Sequence, residues 1–97
     1  RNHGFLLTRK GWELSPTYDI NPTRSDFQRL LINRNTSESN IDILLKSAGD
    51  YMLSSEKARD IINNVRAAMR SWRNEARRQG LPQRDIDMFA PHFDKWI

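Results

Sequence analysis

The stretch Ser54-Ser-Glu-Lys-Ala58-Arg-Asp-Ile61-Ile62-Asn-Asn-Val65-Arg-Ala-Ala68-Met69-Arg-Ser-Trp72-Arg-Asn-Glu-Ala76-Arg-Arg-Gln-Gly80 carries the strongest structural pattern in the chain. Its apolar residues, Ala58, Ile61, Ile62, Val65, Ala68, Met69, Trp72 and Ala76, recur at the period of a helix and draw one continuous stripe. Ser54 can cap the first turn, and Glu56 places a negative charge where the helix dipole favours it. Arg77 and Arg78 put cations in the last turn, and Gly80 is a natural stop. The pattern predicts a single amphipathic helix from Ser54 to Gly80 with Val65, Met69 and Trp72 buried. Arg66, Arg70, Arg73 and Arg77 form a second stripe, one residue after the apolar one.

Outward from this helix the pattern weakens. Upstream, Asn40 can cap a short helix carrying Ile41, Leu44, Leu45 and Ala48, with Gly49 as its stop. Downstream, Pro82 suits the first turn of a third helix, in which Ile86, Phe89 and Phe93 face inward. Pro91 should end or kink that helix near Ala90, leaving Asp94 to Ile97 as a tail whose Trp96 needs cover. At the other end, Gly4-Phe-Leu-Leu-Thr8 and Gly11-Trp-Glu-Leu14 flank Arg9-Lys10 and read as a β-hairpin. Phe5 and Leu7 share one face of the first strand, Trp12 and Leu14 one face of the second. Between hairpin and helices, Ser15 to Ser25 is loop, Leu30-Leu31-Ile32 is a candidate extended piece, and Asn33 to Ser39 is polar turn material. The expected fold class is mainly α: a short N-terminal hairpin followed by about three packed helices, in one domain over residues 1–97.

Composition removes several classes of function. The 97 residues contain no cysteine, which rules out a disulfide scaffold, a thiolate metal site and a cysteine nucleophile; it also fits a cytoplasmic location. No apolar run is long enough to span a membrane. His3 and His92 are too few for a zinc site. The net charge of +4, from 16 basic and 12 acidic residues, permits an anionic partner without selecting one. The arginine stripe can be read as a ridge for nucleic-acid phosphates. The reading we favour is the solvated shoulder of a core helix, with arginine stems covering apolar surface. The opening Arg1-Asn2-His3, with no initiator Met, has the look of a sequence cut from something longer.

Two residues could carry chemistry. Asn2 and Asp19 sit at the two ends of the hairpin, and closing it brings those ends together. Hard oxygen ligands, few in number, suit Mg²⁺ held jointly with nucleotide phosphates, and kinases hold their metal ions with such an Asn and Asp. Both residues are also ordinary turn formers, whose side chains bond nearby backbone.

The strings around them resemble a known family. Arg1-Asn2-His3-Gly4-Phe5, followed by Trp12-Glu-Leu14-Ser-Pro-Thr-Tyr18-Asp19-Ile-Asn-Pro22, is similar to the HipA-like serine/threonine kinases, toxins of bacterial toxin–antitoxin pairs. In that family a catalytic loop of the form Asp-x-His-x-(Lys/Arg)-Asn precedes a hairpin and a Leu-(Ser/Thr)-Pro-x-Tyr-Asp segment. The resemblance implies that Asn2 and Asp19 are Mg²⁺ ligands and that the chain is the C-terminal part of the kinase C-lobe. It places the catalytic Asp about five residues before Asn2, outside residues 1–97. The phosphate-covering loop and the ATP-holding Lys are likewise expected upstream. On this reading Mg²⁺ and ATP belong to the full-length kinase, and the isolated chain binds neither firmly and transfers no phosphate. Its partners are the remainder of the kinase chain and an antitoxin that binds DNA, with direct contact of Arg66, Arg70, Arg73 and Arg77 to DNA not favoured. The alternative from another class is a small basic helical binding module, for nucleic acid or protein, without catalysis.

Overall fold

The computed structural model describes residues 2–97, so Arg1, the first residue of the matching string, lies outside the described residues. A two-stranded antiparallel sheet opens the chain, with β1 at Phe5–Thr8 and β2 at Gly11–Leu14. Helices α1 (Ile41–Lys46), α2 (Ser55–Met69), α3 (Trp72–Arg78) and α4 (Gln83–Asp94) follow, with a 3₁₀ turn at Ala48–Tyr51 between α1 and α2. The molecule is mainly α with a short N-terminal hairpin, as the sequence implies.

The hairpin register pairs Phe5 with Leu14 and Leu7 with Trp12. Directly paired residues and alternate residues share a face, so these four side chains form one apolar surface. All four are more than half exposed. The tight turn is made by Thr8, whose hydroxyl accepts from the Lys10 amide at 3.1 Å and donates to the Gly11 carbonyl at 3.2 Å. Its left-handed step falls on Gly11, at φ 105°, where a side chain would be strained. Between hairpin and helices, residues 15–40 carry one isolated bridge, Phe27 with Glu38. Leu30-Leu31-Ile32 lies in bends, not in the expected extended piece. The amides there are satisfied locally, as where Ile32 N–H donates to the Thr36 carbonyl at 2.8 Å.

The helix starts follow the capping residues. Asn40 Oδ1 accepts from the Asp42 amide at 2.9 Å, and Ser54 Oγ from the Lys57 amide at 3.1 Å. Three expectations fail at the ends and breaks. α1 stops at Ser47, not Gly49: buried Ser47 donates to the Ile43 carbonyl at 2.8 Å and accepts from Asn33 Nδ2 at 2.9 Å. Gly49 sits inside the 3₁₀ turn, and the left-handed residue that ends the turn is Met52, at φ 56°.

The predicted single helix from Ser54 to Gly80 is two, broken at Arg70–Ser71. There the Arg70 amide bonds to the Ala67 carbonyl at 3.3 Å, a tightened turn, and the Ser71 hydroxyl donates to the Ala68 carbonyl at 3.3 Å. A serine hydroxyl competing for a helix carbonyl offers the backbone a way out of the α ladder. α3 then closes as expected: the Gly80 amide bonds to the Arg77 carbonyl (2.9 Å) and the Leu81 amide to the Ala76 carbonyl (3.0 Å), with Gly80 at φ 82°. This is the paired closure that a left-handed glycine permits.

α4 runs through Pro91 to Asp94, where the sequence predicts a stop or kink near Ala90. Proline removes one helix hydrogen bond, but the turn beyond it is pinned from outside. Phe93 meets Trp72 edge-on at 4.9 Å between ring centroids and stacks on Phe89 at 5.7 Å. Asp94 accepts from Trp72 Nε1 at 3.0 Å.

The break redirects the buried surface. Trp72 and Ile86 are buried between α3 and α4, and Ala48 and Ala58 where the 3₁₀ turn meets α2. Val65 is 58 % exposed and Met69 sits at the edge of exposure, so the stripe is buried at Ala58 and Trp72 and open between them. The tail is tied down: Lys95 pairs with Asp26 at 3.2 Å, and half-buried Trp96 lines a groove with Ile32, Ile41 and Leu44.

Candidate cation site at the ends of the hairpin

Three hydrogen bonds zip the chain beyond the last strand pair. The Ser15 amide donates to the Gly4 carbonyl at 2.8 Å, the Tyr18 hydroxyl to the His3 carbonyl at 3.2 Å, and Asn2 Nδ2 to the Asp19 carbonyl at 2.8 Å. Closing the hairpin therefore does bring Asn2 to Asp19. The contact runs from the Asn2 side chain to the Asp19 main chain. Both residues adopt left-handed backbone, at φ 57° and φ 50°, a region that Asn and Asp enter more readily than other non-glycine residues. Tyr18 is a half-exposed clasp on His3.

The Asp19 carboxylate has a partner that sequence reasoning missed. Asn21 Nδ2 donates to Asp19 Oδ1 at 2.7 Å and also lies 3.3 Å from the Asp19 carbonyl. The Asp-x-Asn spacing was the available signal, because such side chains bond across two residues in turns. Among the described residues no group of three or more His, Cys, Asp or Glu side chains is placed to hold a metal ion. A cation here would have Asn2 Oδ1 and the Asp19 carboxylate as its protein oxygens and would draw its other ligands from phosphate and water. That donor set fits Mg²⁺, which keeps several waters and few protein ligands.

The arginine stripe is divided by the break between α2 and α3. Arg66 is half-buried and Arg70 exposed on α2 and the turn after it. On α3, Arg73 is held by Asp94, with Nη1 to Oδ1 at 2.8 Å and a second contact from Nη2 to Oδ2, and its guanidinium lies 4.9 Å over the Trp72 ring. The Arg73 fork, seconded by Trp72 Nε1, holds the Asp94 carboxyl below the usual carboxylate range. Arg77 reaches Asn74 at 3.5 Å. One of the four arginines is thus committed inside the fold, and the stripe is no straight ridge. No helix among the described residues is long and apolar enough to cross a membrane.

The chain is α-rich and headed by a hairpin, with an Asn and an Asp drawn together at the hairpin's open end. The family model of the HipA-like C-terminal domain matches residues 1–72, and the chain belongs to that family. The match covers the hairpin, the Asn2–Asp19 closure, α1 and α2, and ends at Trp72. No curated protein and no solved structure matches the chain.

Proposed function

We propose that this chain is the part of a HipA-type protein serine/threonine kinase that holds Mg²⁺ on ATP, with Asn2 and Asp19 as the protein ligands. The observation that carries the reading is the 2.8 Å bond from Asn2 Nδ2 to the Asp19 carbonyl. It fixes the two residues at one place, inside the segment that matches the family. The Asn2 bond is made by Nδ2 and leaves the amide oxygen out of it, and the Asp19 carboxylate keeps Oδ2 outside its bond to Asn21. Asn2 and Asp19 would hold the Mg²⁺, which would supply neutralisation of the ATP phosphate charge; the part played by this chain is to fix the oxygens that hold it. The reading assigns the Asp that orients the substrate hydroxyl to sequence preceding Asn2. Cytoplasmic location and pairing with a DNA-binding antitoxin follow from the same family reading.

Phosphoryl transfer tests it. The chain alone should transfer no phosphate from ATP to protein. The chain joined to the coding sequence immediately upstream should do so, and Asp19→Asn in that longer protein should abolish transfer. Robust autophosphorylation by residues 1–97 alone would overturn the reading.

A further inference from the structure

We propose that Asn21 is a positioning residue that presets the Asp19 carboxylate for a divalent cation; this rests on Asn2 and Asp19 being the cation's ligands. The Asn21 amide reaches two atoms of Asp19, Oδ1 at 2.7 Å and the carbonyl oxygen at 3.3 Å, so it ties the side chain of Asp19 to its own main chain. Asn2 Nδ2 holds the same carbonyl from the opposite end of the hairpin. Between them the two amides fix a residue in left-handed backbone, at φ 50°, and hold one oxygen of its carboxylate. Asp19 is exposed, and a free carboxylate there would turn among rotamers that a cation would have to freeze.

The choice of an amide matters. An arginine or lysine at this position would cancel the charge of Asp19, whereas the Asn21 amide orients the carboxylate and leaves it at −1, with Oδ2 open. The backbone is compatible with the arrangement: Pro22 disfavours helical geometry at Asn21, no helix or strand includes Asn21, and its side chain folds back onto Asp19. Outer-shell hydrogen bonds of this kind orient metal-binding carboxylates, and their loss weakens affinity by about 10- to 100-fold. An exposed clip belongs at the lower end of that range.

Two measurements on residues 1–97 test it. In the first, side-chain three-bond couplings report the Asp19 χ1 rotamer in the metal-free chain. One rotamer should dominate in the wild type, Asn21→Ala should give averaged couplings, and Asn21→Ser, which keeps a donor, should recover part of the preference. In the second, Mn²⁺ binding is followed by water-proton relaxation. Asp19→Asn should abolish it, and Asn21→Ala should weaken it about tenfold, with partial recovery in Asn21→Ser. Unchanged Asp19 couplings in Asn21→Ala overturn the proposal whether or not Mn²⁺ binds. If Asp19→Asn abolishes binding and Asn21→Ala leaves it intact, the ligand reading stands and the positioning role falls. If the couplings respond as expected but Mn²⁺ binding ignores Asp19→Asn, the ligand reading falls, and the role of Asn21 toward a cation falls with it.

Discussion

Trp72 is the residue on which the helical part depends. It is 9 % exposed, lies edge-on to Phe93 and donates its indole N–H to Asp94. Truncation would leave a cavity and an Asp94 carboxylate short of one donor. Trp72→Ala should cost about 3–5 kcal/mol, a large share of the stability of so small a domain, and urea unfolding would measure it. Asp94 carries a pH dependence of definite sign. Its pKa is lowered in the fold, chiefly by the Arg73 side chain. Its contribution is therefore present above the unfolded carboxylate value and is lost as the pH falls through the depressed one. Stability should fall below about pH 4, and Asp94→Asn should flatten that part of the acid-unfolding curve while lowering the plateau at neutral pH. At this scale the sequence was informative where chemistry is tied to spacing. The closure of Asn2 on Asp19 was legible because a two-residue turn between short apolar runs brings the ends of a hairpin together. Asn21 and Asp94 were not legible, since both act through side-chain bonds that no periodicity records.

Among the elements, local signals marked starts better than breaks. Asn40, Ser54 and Gly80 behave as their cap chemistry requires, because a cap is local: a side-chain oxygen on nearby amides for Asn40 and Ser54, a left-handed backbone for Gly80. The break at Arg70–Ser71 was hidden, since the apolar stripe from Ala58 to Ala76 runs in phase through both helices while a single serine hydroxyl diverts the ladder. Pro91 misled in the opposite direction: its local effect is to stop a helix, but Phe93 and Asp94 hold the last turn against α3. The consequence for packing is measurable. Val65→Ser should change stability by no more than about 0.5 kcal/mol, as for other surface positions, although the stripe marks Val65 as core. Ile86, 1 % exposed, should cost about 2–5 kcal/mol on truncation to Ala. The arginines divide likewise: Arg73→Ala should lower the melting temperature, and Arg70→Ala should leave it unchanged within error. Duplex DNA should bind weakly and without sequence preference. A ridge of four phosphate contacts would give a salt slope near four, at about 0.9 per contact; Arg73, committed to Asp94, makes that slope unattainable.

The whole molecule is extended for its length. Its radius of gyration is 15.6 Å, against about 12.5 Å for a compact domain of 97 residues, and it measures 43 × 31 × 25 Å along its principal axes. The hairpin, with its four-residue apolar face open, accounts for part of this. Trp12 is 71 % exposed and Trp72 9 %, so with Trp12 and Trp96 replaced by Phe the remaining Trp72 emission should be quenched weakly by acrylamide, and restoring Trp12 should add a strongly quenched component. At this scale membership of the HipA-like C-terminal family rests on residues 1–72, and the proposed cation ligands, Asn2 and Asp19, lie within them. Their role can be read by titrating the ¹⁵N-labelled chain with Mn²⁺ in the presence of ATP and following paramagnetic broadening. The Asn2 side-chain amide and the backbone amides around Asp19 should broaden first, and Asp19→Asn should remove the effect. Broadening that begins at other carboxylates, such as Asp42 or Asp85, and is indifferent to Asp19→Asn would contradict it.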